Sequence, residues 1–128
     1  MKTVCRVEHP DYENPSGVRL GPFAIPRDCP LNEKTKFVRD SKAWNMPEPA
    51  QDGLEYIDDN EYCGFGNLET ALYWMESIIE KLSEIGYVLA EYTIDGYRAG
   101  RHQVLFEAID ATHVKDYPLS ILRSIDTD

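Results

Sequence analysis

A chain of 128 residues, 42% of them apolar, has material for one hydrophobic core and too little for two. Its formal net charge of −10, from 23 Asp and Glu against 13 Lys and Arg, disfavours direct binding to nucleic acid or to acidic membranes and attracts basic protein surfaces. No window approaches the roughly 20 apolar residues of a membrane span, and the opening MKTVCRVEHPDYENP holds no apolar leader.

In chain order, TVCRVEH (3–9) alternates in the manner of a strand and predicts one that stops at Pro10. From 11 to 59 six prolines and three glycines preclude long regular elements, and the stretch is expected to be irregular, with Phe23, Ile25, Phe37, Val38 and Trp44 packing back onto the core. Residues 60–128 are expected to supply the core proper. A continuous helix is predicted over 67–85: Asn67 is a natural N-cap, Gly86 a left-handed stop, and Leu68, Ala71, Leu72, Met75, Ile78, Ile79, Leu82 and Ile85 form one stripe. YVLAEYTI (87–94) and HQVLFEAI (102–109), separated by Asp95-Gly96, read as a hairpin. YPLSILRSI (117–125) reads as a short helix or strand that covers an open edge of the core. The sum is a single α+β domain, one long amphipathic helix on a small, mostly antiparallel sheet.

The charge is unevenly spread. Residues 48–95 hold twelve Asp and Glu and a single Lys, whereas the rest of the chain is close to neutral. At about 100° per residue, Glu69, Glu76, Glu80 and Glu84 fall in a sector opposite the apolar stripe, and Tyr73 falls within it. Asp58, Asp59, Glu61 and Tyr62 form an acidic run just before the helix.

Motifs with catalytic meaning are weak. CGFGN lacks the lysine, the hydroxyl and the third glycine of phosphate cradles, and IDDNEY ahead of it would repel phosphate, so it reads as an ordinary helix entry. The three histidines share no i, i+4 spacing, and the three cysteines, Cys5, Cys29 and Cys63, have no zinc-type spacing and read as reduced thiols. A Cys5–His102 nucleophile pair across adjacent strands carries little weight. The acidic run lacks the residue order of a calcium loop. No metal or cofactor is expected.

The order CGFGNLETALYWM, GYVLAEYTI, HQVLF resembles small proteins encoded by bacteriophages and prophages, with a glycine-flanked helix entry and a late Gln-Val-x-Phe strand. It spans Cys63–Phe106, about a third of the chain. Such families often contain inhibitors of host enzymes or defence complexes. A second likeness is to the small ADP-ribosyltransferase-like fold, in which Arg6 matches a first-strand arginine without its aromatic neighbour. There Gln103 stands at the position of the catalytic glutamate, which implies nucleotide binding without transferase activity.

The leading expectation is a non-enzymatic, acidic protein acting in the bacterial cytoplasm, which occludes a basic surface of a host defence or nucleic-acid-handling protein. Asp58, Asp59, Glu61, Tyr62, Glu69, Tyr73, Glu76, Glu80 and Glu84 form its contact. The alternative expectation is a nucleotide-binding protein in which Arg6, Gly64, Gly66 and Gln103 line a pocket for NAD or ADP-ribose. Oligomeric state is open.

Overall fold

The fold is taken from a computed structural model, which describes residues 1–54, 56–58 and 60–124. Strand β1 (Lys2–Glu13) is the spine. It runs through Pro10, against expectation, because pairing to strand β4 ends at Glu8, so the missing N–H breaks no ladder bond. Its far end instead takes up the short strand β2 (Arg19–Leu20), with a register irregularity between His9 and Glu13.

The proline-rich stretch is ordered by short pieces. Helix α1 (Leu31–Lys34) and 3-10 turns at Lys36–Asp40, Lys42–Asn45 and Pro49–Asp52 bury Leu31, Val38 and Ala43. Phe23, Ile25 and Phe37 pack half-buried on that core, whereas Trp44 keeps 44% of its surface exposed. The last turn has a reciprocal Glu48/Gln51 capping box, proline at its start and Gly53 at φ 92° at its end, so local chemistry alone defines it.

Strand β3 (Glu61–Gly64) leads into the helix. A Cβ on Gly64 would lie 2.7 Å from Val4 Cγ2 and 3.0 Å from the Cys5 carbonyl. Gly64 therefore serves the close approach of β3 to β1. Phe65 then exchanges two backbone hydrogen bonds with Cys5, at 2.9 and 2.7 Å.

The expected continuous helix is broken. Helix α2 (Leu68–Met75) and helix α3 (Ile79–Glu84) are separated by a 3-10 turn, Glu76–Ile78, with Ile78 at φ −119° and ψ 3°, outside the helical basin. Ser77 and the β-branched pair Ile78-Ile79 lower helix propensity there, and the tighter turn keeps both isoleucines buried. Both ends match the expectation. The Asn67 side chain accepts from Thr70 N–H at 2.8 Å, and Gly86 (φ 100°) closes a Schellman motif through Tyr87 N–H to Leu82 C=O and Gly86 N–H to Ser83 C=O.

The predicted hairpin does not form. Strand β4 (Val88–Ile94) pairs with β1 and with β7 (Thr112–Pro118), whereas β5 (Arg98–Ala99) and β6 (Val104–Glu107) belong with β3. The working turn is Gly100–Gln103, held by Asp52: its carboxylate accepts from His102 and Gln103 N–H, and its carbonyl from Arg101 N–H. After β7, a 3-10 helix Leu119–Ser124 buries Leu119 and Leu122 against the helices, so the tail covers the core as a helical turn. Ile125 lies outside the described residues.

The result is an α+β fold with two antiparallel sheets, β2-β1-β4-β7 and β3-β6-β5. Cys5 and Val7 face the helices; Val4 faces Ile94, Val104 and Phe106 in a second, smaller core. Burial on both sides of β1 explains why its sequence alternates imperfectly. No helix among the described residues is long and apolar enough to cross a membrane.

Candidate functional site

β2 and β3 approach the same edge of β1 from opposite ends and leave a gap between them. Below that gap lies a cavity of about 600 Å3, walled by Val7, Leu20, Gly21, Phe23, Trp44, Met46, Gly64 and Phe65, with Arg6, Arg19 and Gln103 among its polar members. Its size and mostly apolar wall suit a small organic ligand. Phe23 and Trp44 stand 6.3 Å apart, tilted by 44°, as its aromatic side. Gln103 is buried and donates its amide to Pro47 C=O at 2.7 Å; no hydrogen bond takes up its side-chain oxygen among the described residues.

Arg6 is held at this cavity by a buried ion cluster. Glu8 has no exposed surface, and a carboxylate in such a place requires compensation. Arg6 Nη1 donates to it at 2.8 Å, Arg19 Nη1 lies 3.4 Å from its other oxygen, and Tyr92 donates its hydroxyl to the same oxygen. Arg19 continues to Asp116 at 2.8 Å, which His113 also meets at 2.7 Å. Burial works against ionised Asp116, but the hydrogen bonds from Arg19 and His113 hold its pKa below the usual carboxylate range. Arg6 Nη1 also donates to Arg19 C=O at 2.7 Å. Its Nε and Nη2 find no acceptor among the described residues, and its side chain is only 14% exposed.

The residues expected to form an acidic contact are not all brought together. Glu69, Glu76, Glu80 and Glu84 are exposed along α2 and α3, and Arg123 donates to Glu80 at 2.7 Å. Glu61 is turned into the protein: its side chain is 7% exposed and takes two hydrogen bonds from Arg98, which lower its pKa. Tyr62 is half-buried, accepts from Asn14 and has Arg6 over its ring, so it belongs to the cavity. Tyr73 is exposed, with Lys42 Nζ 3.2 Å from its ring centre. Asp58 is exposed, and Asp59 lies outside the described residues.

Of the residues named for a nucleotide pocket, Arg6, Gly64 and Gln103 do line one cavity. Gly66 instead sits against Tyr97. Cys5 does not pair with His102: it is buried with its pKa pushed up to about 11 by burial and by Glu91, whereas the His102 ring packs edge-on against Trp74.

Residues 1–120 match the family model described as Bacteriophage T4 Y00F protein. The chain belongs to that family. It is a small phage-encoded protein, as the resemblance implied. No curated protein and no solved structure matches it. Within this Y00F-family chain, sequence reading missed Val7, Arg19, Phe23 and Trp44 as members of a site. Apolar residues at a strand edge carry no chemical signature, and Arg19 shows its role only once Glu8 is seen to be buried.

Proposed function

We propose that this phage protein is a non-catalytic binding protein whose cavity takes a ligand of the nucleotide class, a flat ring system carrying oxygen-rich groups. The observation that supports it is Arg6. One nitrogen of its guanidinium is consumed by Glu8 and Arg19 C=O, while Nε and Nη2 are left with donor capacity beside an apolar cavity. A partly buried cation with free donors is suited to a carbonyl, carboxylate or phosphate oxygen. Phe23 and Trp44 offer the ring a wall, and the Gln103 side-chain oxygen offers an acceptor. Cys63, the thiol on that wall, has no histidine among the lining residues, and burial raises its pKa, which disfavours the nucleophilic thiolate. A thermal-shift panel of NAD, ADP-ribose and nucleoside monophosphates tests the reading: a saturable rise for one of them supports it, and Trp44→Ala, an exposed change, reduces that rise. The absence of any rise across the panel overturns it.

A second reading is favoured by exposure. Glu69, Glu76 and Glu84 form no ion pair among the described residues, and Lys81 is the sole cation of Leu68–Glu84. That face would engage a basic surface of a host defence or nucleic-acid-handling protein in the bacterial cytoplasm, its carboxylates standing where phosphates otherwise sit, with Tyr73 adding contact. Capture from host lysate at low salt and its loss in Glu76→Lys/Glu84→Lys, with helix content unchanged, supports it. Equal capture by parent and variant rules it out.

A further inference from the structure

The gap on β1 has an order of donors and acceptors. Cys5 N–H and C=O bond to Phe65, and His9 pairs with Leu20, so the residue between them on the same edge is Val7. Strand geometry points the N–H and C=O of Val7 along that edge, into the opening between Phe65 and β2. The register with β2 gives Val7 no partner on that edge, and among the described residues no backbone hydrogen bond outside the strand ladders reaches its N–H or C=O, although Val7 is buried and lines the cavity. Buried backbone groups without partners are rare in folded proteins and need an explanation.

Gly21 shows what stands next to them. A carbon added there would lie 3.4 Å from Val7 O and 3.3 Å from Arg6 Nη2, so these two atoms flank one spot. The edge therefore offers the Val7 N–H donor and the Val7 C=O acceptor from one residue, with the Arg6 Nη2 donor near that acceptor around the spot beside Gly21. Its complement is acceptor, donor, acceptor, two carbonyls flanking a ring N–H. We infer that the gap reads the imide edge of a uracil-type ring, with Trp44 and Phe23 against its apolar remainder. This rests on the cavity holding a nucleotide-class ligand, and it adds which base and which edge. Cytosine presents donor, acceptor, acceptor and meets two of the three groups with the wrong partner. A ring methylated at the imide nitrogen loses the central donor and places a methyl group against Val7 C=O.

Calorimetric titration of the full chain with uridine, 3-methyluridine and cytidine tests this. Uridine is expected to bind at least about tenfold more tightly than the other two, since a site built of buried polar groups rejects a ligand that leaves them unpaired. Gly21→Ala, at a position without a left-handed backbone, is expected to lower the thermal midpoint less than Gly64→Ala does while weakening uridine by about tenfold, because the new carbon crowds the Arg6 end of the edge. Binding of 3-methyluridine or of cytidine as tight as that of uridine overturns the inference and leaves the cavity reading standing. No binding by any nucleoside or nucleotide overturns both.

Discussion

Tyr92 donates its hydroxyl to Glu8 across 84 residues of sequence, joining β4 to the one carboxylate on β1 with no exposed surface. Burial first, and the hydrogen bond to Glu8 second, push the Tyr92 hydroxyl well above the ordinary phenol pKa, so it remains a donor at any physiological pH. Glu8 is in turn what keeps Arg6 and Arg19 in place.

Glu8→Gln is accordingly expected to be among the most damaging single changes in the chain. It leaves the partly buried Arg6 guanidinium without its counter-charge and Arg19 with Asp116 alone, a loss of about 3–5 kcal/mol by analogy with broken buried pairs. Tyr92→Phe removes a single hydrogen bond to a charged group, about 1.5–3 kcal/mol. Urea unfolding of both variants checks the order. A Glu8→Gln protein as stable as the parent would show that the cluster is not ionised as described.

Asp52→Ala is expected to cost about 1.5–3 kcal/mol, because the backbone N–H groups of His102 and Gln103 lose a charged acceptor. The change also loosens the Gln103 wall of the cavity, so any ligand-induced thermal shift falls along with the midpoint. Thermal unfolding with and without ligand separates the two effects.

The acid limb of the stability profile belongs to Asp116 and Glu61. Both have folded-state pKa values below the unfolded ones, so the native state holds fewer protons than the unfolded chain as pH falls. Their contributions are present above the unfolded carboxylate range, about pH 4, and are lost as pH drops through the depressed folded values. Asp116→Asn is expected to lower stability at pH 7 and to flatten the dependence below about pH 4. A variant whose profile runs parallel to the parent's down to about pH 2 would exclude Asp116 as a contributor.

Glycine substitutions separate crowding from backbone strain. Gly64→Ala sets a carbon against Val4 and the Cys5 carbonyl and is expected to cost about 1–3 kcal/mol. Gly86→Ala combines a φ of 100° with a contact 2.6 Å from His9 Nε2, and is expected to cost more. Gly17, with φ 83° and open space around it, isolates the backbone part, about 1 kcal/mol. The urea midpoint should fall furthest for Gly86→Ala, less for Gly64→Ala and least for Gly17→Ala.

The ends of the helical segment were legible in the sequence because caps are local: Asn67 and Gly86 act within four residues of themselves. The strand pairing was not, because Asp95-Gly96 looks like a hairpin turn whatever β4 pairs with, and its true partners lie at opposite ends of the chain. Glu8 reads as a surface charge in CRVEH, and nothing local reveals that Arg19 and Tyr92 converge on it. Arg6, Gly64 and Gln103 entered through a likeness and proved to share a cavity, while the apolar groups that form most of its wall left no trace in the pattern.

The two hydrogen bonds between Cys5 and Phe65 form a backbone clasp between the two sheets. That makes their amide protons a gauge of cooperativity. If both exchange with solvent as slowly as the centre of β4, the molecule opens only as a whole; if they exchange faster, the smaller sheet undocks first and carries one lip of the cavity with it.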